Sequence, residues 1–348
     1  MKENNFNLLR LGASLFVFAG HMGRIRGGEP PRLGGYALHE LGVGILFLLG
    51  GYLVTQSWAR DPHPVRYGIR RFFRLWPPFA VMVLLMTFVT GPLLSDLGAS
   101  AYFRSGYTAY LRNLRFYITY AQPGVFTHLP IPSSTNGSLW TMPVEAAMYF
   151  LSPVLATVLG MRKHSDKSFY ATGVLAGVLL IIDLYLRAAI PDAKIIFYAT
   201  DLIAGYHLAL MYVIGILYTF PQMRRFLNLQ RACAGIGIVF ICSMASGTVQ
   251  YFLYYLVIPY FIFSFAFAEK PVFSRLGTRM DLSYGIFLYG FFFQQLVIQR
   301  LQECSVDCGY LQTFVLALAP TLLAAVISFY LVEKPAQHGA RMLIRKLS

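Results

Sequence analysis

Charge is scarce in this sequence. Only 13% of its 348 residues are Asp, Glu, Lys or Arg, against 57% hydrophobic residues and a mean hydropathy of +0.56. A soluble globular chain carries about a quarter charged residues, so that class is excluded. Acid is scarcer still, with 15 Asp and Glu against 29 Lys and Arg and a formal net charge of +14. Cysteine is limited to four residues without metal-ligand spacing, and no metal is expected. Cys304 and Cys308 share one polar connection, where a disulfide would require an oxidising compartment. Cys233 and Cys242 read as helix-packing residues. There is no internal repeat and no polar stretch of soluble-domain length; the longest connection runs from about 97 to 138. No small-residue cleavage site follows the first apolar run, so a cleavable signal peptide is not expected.

What the chain does have is unbroken apolar runs of bilayer-spanning length. They predict about ten helices near 8–22, 40–57, 76–95, 139–159, 169–188, 200–220, 232–246, 249–268, 282–299 and 311–332. Continuous runs rather than short alternating ones favour helices over a barrel. The expectation is an all-α, polytopic helical bundle forming a single transmembrane domain over 1–348. Distributing Lys and Arg over alternate connections puts roughly 20 on the side of the N-terminus and roughly 9 on the other. That bias orients both termini to the cytoplasm, in a multi-pass protein of the plasma (inner) membrane. The basicity is then topology, and nucleic acid is not an expected partner. Oligomeric state is not written in the sequence.

Against this apolar background the polar residues stand out. In "LLRLGASLFVFAGHMG", Arg10 and His21 are eleven residues apart, about 16 Å along a helix and within about 20° of one face. Such a face should point into the bundle or a watery cavity. Snorkelling for Arg10 and packing for His21 are the blander alternatives. In "YGIRRFFRLWPP", placed on the cytoplasmic side before the third span, Arg71 and Arg74 are neighbours on one face if the segment is helical. They suit a phosphate, or simply hold the loop inside. In "NGSLWTMPVEAAMYFLSP", Glu145 falls within the outer part of the membrane, at the depth expected of His21. A carboxylate beside an imidazole fixes its tautomer and raises its basicity, so the two are expected to pair; an ion pair of Glu145 with an arginine is the alternative. Trp140, Ser138 and Tyr149 of the same segment are candidates for contacting an acceptor or supporting the site. Tyr102, Phe103, Tyr107, Tyr110, Phe116, Tyr117 and Tyr120 read as interfacial anchors or a stacking platform for sugar rings. Asp201 and His207 read as structural. Asn136-Gly137-Ser138 matches a glycosylation sequon, a pattern too short to weigh alone.

Taken together, these stretches resemble the membrane acyltransferase-3 family. Arg10, ten intervening residues and His21 look like its first-helix motif. "RRFFRLWP" is similar to its arginine-x-x-arginine element, "NGSLWTMPVEAAMYFLSP" to its tryptophan-to-glutamate segment, and "VEKP" to its closing motif. The resemblance implies an acyl-CoA-dependent O-acyltransferase. It would move an acyl group, foremost acetyl, from cytoplasmic acyl-CoA to a sugar hydroxyl of a surface polysaccharide, lipopolysaccharide or lipid-linked glycan. His21 would be catalytic with Glu145 in support, and Arg10, Arg71 and Arg74 would contact the donor. No permanently bound cofactor is implied; the partners are acyl-CoA, a glycan or glycolipid acceptor and the lipid bilayer. Gly44, Gly50 and Gly290 depart from the aspartate, serine and histidine often found at those positions. The form expected is the one without the C-terminal hydrolase-like domain that many relatives carry. A secondary transporter or lipid flippase using Arg10, His21 and Glu145 as a relay is the competing reading. It would be expected to show repeated halves and paired broken helices, which are not found here.

Overall fold

A computed structural model describes residues 5–160, 165–244, 247–268 and 280–347. The described residues are mainly helical. The long helices are α1 (Phe6–Ile25), α2 (Leu38–Arg60) and α3 (Pro64–Leu85), which a π turn at Met86–Thr90 extends into α4 (Gly91–Leu94). The short α5 (Ala99–Tyr102) precedes α6 (Thr141–Val158), α7 (Asp166–Ala189), α8 (Leu202–Leu217), the short α9 (Pro221–Arg224) and α10 (Leu229–Ile241). Then follow α11 (Gly247–Ala266), α12 (Ser283–Glu303) and α13 (Tyr310–Ser328), which a second π turn at Phe329–Glu333 continues into α14 (Lys334–Lys346). Among the described residues, strand is confined to two antiparallel two-residue ladders, Arg32–Leu33 with Tyr36–Ala37 and Ile196–Phe197 with Thr200–Asp201.

Each of the ten expected spans has a helix at its place. Among the described residues, six helical stretches are long and apolar enough to cross a membrane: Leu38–Arg60, Pro64–Leu94, Gly137–Val158, Asp166–Ala189, Gly247–Ala266 and Tyr310–Lys346. α8 and α10 are apolar but shorter. α1 and α12 have the length, with 20 and 21 residues, but carry Arg10, His21 and Arg24 in one and Gln294, Gln295 and Arg300 in the other. Of these polar groups, the two glutamines turn inward. Gln294 donates to the Phe18 carbonyl at 2.6 Å, and Gln295 to the Ile131 and Ser134 carbonyls at 2.8 and 3.0 Å. Residues 245 and 246, at the end of the seventh expected span, lie outside the described residues.

α1 sits between α2 and α12 at the centre, where Phe6, Val17, Leu48, Leu49 and Phe263 are buried. One end of the bundle gathers both ends of the described chain. Asn5 donates to the carbonyls of Ala266 and Phe265, and α14 packs along α3. At this end α3 corrects an expectation. The third span is expected from 76, whereas the helix starts at Pro64 after His63 caps it, so "RRFFR" lies in its second and third turns and the helical alternative for Arg71 and Arg74 holds. Proline fits at that start because its missing N–H would have had no partner in the first turn.

At the opposite end, the segment between α4 and α6 is ordered, and part of the aromatic reading is overturned. Tyr102 and Tyr110 are fully buried rather than displayed. Tyr102 donates to the Thr87 carbonyl at 2.9 Å and accepts from Gln122 at 3.1 Å, so a fixed lid packs on the end of α3. Cys304 and Cys308 are separate free thiols. Asn136 is buried, donating to the Leu288 carbonyl at 2.7 Å, which removes it from consideration as a sequon.

Candidate active site

A cavity of about 600 Å³ opens between α1, α2, α3, α6, α12 and α14. Arg10, Arg71, Arg74, Glu145 and Tyr149 all line it, so the structure gathers five of the eight residues singled out in the sequence around one space. Arg10 and Arg74 are held by an acid that the sequence reading missed. Asp281 Oδ2 lies 2.6 Å from Arg10 and 3.3 Å from Arg74, and Arg74 also reaches Glu333 at 3.4 Å. Ser283 completes the shell, donating from its hydroxyl at 2.6 Å and its N–H at 3.1 Å to Asp281 Oδ1. Burial works against ionisation of Asp281, but the two guanidiniums and Ser283 overrule it and hold the carboxyl down to about 2. Glu333 is buried in the second π turn with Oε1 unpartnered. Single π turns of this kind concentrate at functional positions.

Arg71 is arranged differently. It donates to Ser57 Oγ at 3.1 Å and stands 5.6 and 5.5 Å from the ring centres of Tyr67 and Tyr149. Its Nε is buried without a partner. A guanidinium held by a hydroxyl and two aromatic faces keeps donors for a ligand. Arg70 also lines the cavity and is paired with Asp61 at 2.6 Å, as is Arg66 at 2.5 Å. Hydrogen bonds from Arg66 and Arg70 hold the Asp61 carboxyl well below the usual carboxylate range.

Glu145 corrects the expected pairing. It accepts a hydrogen bond from the Tyr149 hydroxyl one turn along α6 and faces the cavity. The residue of this segment that meets His21 is Ser138, whose Oγ is 3.4 Å from His21 Nδ1. Seven residues separate Ser138 from Glu145, about 10 Å of helix, so both cannot stand at one depth. Trp140 is half-buried against the core and is not among the residues lining the cavity. Asp201 caps α8 through the N–H groups of Ile203 and Ala204, as its structural reading implied. His207 bonds Asp183, which is buried inside α7.

His21 lies beyond the cavity in a small, packed setting. Its ring centre is 5.3 Å from Phe291 edge-on and 5.5 Å from His39. His39 is the second residue the sequence reading missed, and its Nδ1 is buried without a partner. The neighbourhood depends on Gly20, where a side chain would overlap the His39 backbone; glycine lets α2 approach α1 there. Elsewhere on α2 and α12 neighbours close up on the departing glycines, the Tyr254 hydroxyl at Gly44 and Phe18 at Gly290.

Three helices relate the cavity to His21. Val43, Thr141 and Phe287 line the cavity. His39, Ser138 and Phe291, which surround His21, lie three or four residues away on the same chain segments. The cavity therefore ends about one helical turn, roughly 5 Å, short of the His21 pocket.

Comparison with known proteins fits this geometry. A family model described as "Acyltransferase domain" matches residues 3–333. The O-acetyl transferase of Shigella phage Sf6 is 25% identical over 342 residues, 96% of this chain and 96% of that protein. Nodulation protein 10 of Rhizobium leguminosarum bv. viciae is 26% identical over 371 residues, 99% of this chain and 96% of that protein. Peptidoglycan O-acetyltransferase OatA of Listeria monocytogenes is 25% identical over 340 residues, 86% of this chain and 51% of that protein. No solved structure matches.

Proposed function

The chain belongs to the acyltransferase-3 family, and from that membership we propose that it is an acetyl-CoA-dependent O-acetyltransferase acting on a sugar hydroxyl of a surface polysaccharide, lipopolysaccharide or lipid-linked glycan. The observation that carries this reading is the cavity that holds Arg10, Arg71 and Arg74 and ends one turn from His21. The guanidiniums that line it suit the phosphates of CoA, because charge-assisted bidentate contacts are their strongest anion chemistry. A thioester arm passing Arg10 then carries the acyl carbon toward Val43, Thr141 and Phe287. Glu145, bonded to Tyr149, shapes the cavity wall beside Arg10 instead of orienting the imidazole.

In the proposed chemistry His21 Nδ1–H donates to Ser138 Oγ, which leaves the Nε2 lone pair for the reaction. As the acceptor hydroxyl oxygen bonds to the acyl carbon, Nε2 takes its proton and the C–S bond breaks. CoA leaves as the thiolate and takes the proton from Nε2, which restores the neutral imidazole. The cavity mouth faces the cytoplasm in this reading, and the 1–348 chain acts as one membrane domain. No observation favours the transporter alternative.

The test uses purified protein in lipid vesicles with radiolabelled acetyl-CoA. Wild type should release CoA or transfer label, and His21→Ala should do neither. Label trapped on the wild-type protein would shift the mechanism to an acyl-histidine intermediate. Equal turnover by both would remove His21 from catalysis.

A further inference from the structure

The C-terminal helix α14 lies past residue 333, where the family match stops, yet it forms a wall of the cavity. Gln337, Ala340, Arg341 and Ile344 line the space. Their i, i+3, i+4, i+7 spacing puts them on one helix face. The helix packs along α3, which carries Arg71 and Arg74.

The ion pairs show where the cavity is electrostatically unfinished. Five arginines line it: Arg10, Arg70, Arg71, Arg74 and Arg341. Arg10 and Arg74 share Asp281, Arg74 also meets Glu333, and Arg70 meets Asp61. Among the described residues, Arg71 and Arg341 have no carboxylate partner. Arg71 faces the cavity from α3 and Arg341 from α14, two helices packed on each other. Arg341 is exposed, and so stands at an open edge of the cavity, taken as its mouth.

We infer that Arg341 and Arg71 form one phosphate subsite at the mouth of the cavity, which holds an anionic group of the donor remote from its thioester. The inference rests on the proposed CoA reading and extends it to a helix outside the matched family region. It commits to a donor phosphate; a phospholipid headgroup offers the same chemistry and is separated from it by experiment. In this account Arg341 is a binding residue whose loss weakens donor capture.

The experiment measures CoA binding to the full chain in phosphatidylcholine nanodiscs, at low and high salt, for wild type, Arg341→Gln, Arg341→Met and Arg341→Lys. Thermal unfolding checks that each variant is folded. A lost charge-assisted contact should weaken CoA binding about tenfold in the Gln and Met variants. Arg341→Lys should recover most of that loss, and the Gln and Met variants should show a shallower salt dependence than wild type. Packing alone would predict that Met substitutes best and Lys confers no advantage. Folded variants that all bind like wild type, with the same salt dependence, would overturn the subsite and leave the donor reading standing. An effect of Arg341→Gln seen only when phosphatidylglycerol is added would assign Arg341 to a lipid headgroup and equally overturn it. Failure of wild type to bind CoA would remove the donor reading itself, and the subsite with it.

Discussion

Two ionic clusters lie within the bundle, and they differ in what they leave unfinished. Asp281 is shared by Arg10 and Arg74, with Glu333 on the far side of Arg74. Asp183, in α7, is shared by Arg187 at 2.8 Å, His207 and the Tyr255 hydroxyl at 3.1 Å. Arg187 also donates to Tyr255 at 3.1 Å and stacks 3.7 Å from the centre of the Tyr251 ring. No buried polar side-chain atom of this second cluster lacks a partner among the described residues. The first cluster borders a cavity of about 600 Å³ and leaves Glu333 Oε1 unbonded, with Arg71 Nε unbonded on the same cavity. A charge within the bundle is therefore not in itself the mark of a site. The Asp183 cluster joins α7, α8 and α11 and is saturated, whereas the Asp281 cluster arranges guanidiniums around empty space.

Substitution of each aspartate tests that distinction. Asp281→Asn should have the largest effect, because it releases both Arg10 and Arg74 from their shared anchor. CoA affinity should fall about tenfold or more, and stability by about 2–4 kcal/mol, as expected for breaking a largely buried pair. Isothermal titration and thermal unfolding measure the two. Asp183→Asn should cost a similar 2–4 kcal/mol on unfolding but leave CoA affinity within about twofold, since its partners do not line the cavity. Comparable affinity losses in both variants would erase the contrast.

Gly20→Ala probes the His21 pocket instead of either cluster. A methyl there meets the His39 backbone, an overpacking that costs about 1–3 kcal/mol. Acetyl transfer should fall while CoA affinity holds, because the cavity ends short of this contact. The smallest effect expected is that of pH. The Asp281 carboxyl is held down to about 2, so its stabilising contribution is complete above the ordinary carboxylate range and is lost only as pH falls through about 2. CoA affinity should therefore show no step from Asp281 between about pH 5 and 8. A titration step in that window that disappears in Asp281→Asn would contradict the assignment.

The parts of the site that were legible in the sequence are those governed by helix period. Arg10 with His21 and Arg71 with Arg74 each share a face because their spacing fixes it, and the basic residues do line one cavity. Depth was read less well. Glu145 and Ser138 occur in one motif, but seven residues of helix carry Glu145 to the cavity that Arg10 lines and leave Ser138 beside His21. Contacts between distant segments were not legible. Asp281 stands at a junction before an apolar helix, where no periodic pattern marks it, and its partners are more than 200 residues away. His39 reaches His21 because Gly20 admits it, a tertiary fact with no local signature. Asp183 does carry a local signal, although it sits inside an apolar run. Arg187 follows it by four residues, the spacing of neighbours on one helix face, and such a pair within a span marks an inward-facing ionic contact. The count of spans was legible as helices but less so as membrane crossings, since the central helices α1 and α12 carry polar groups that lower their hydropathy.

The central claim is that donor binding and chemistry occupy adjoining but separate places, the arginine-lined cavity and the His21 pocket. It is tested most directly by measuring CoA affinity and acetyl transfer side by side in His21→Ala protein reconstituted in vesicles. The account predicts CoA affinity within about twofold of wild type, with transfer reduced by about 10²–10⁴-fold, the usual yield of a positioned acid–base group. Transfer at the wild-type rate, or CoA affinity lost together with the imidazole, would contradict it.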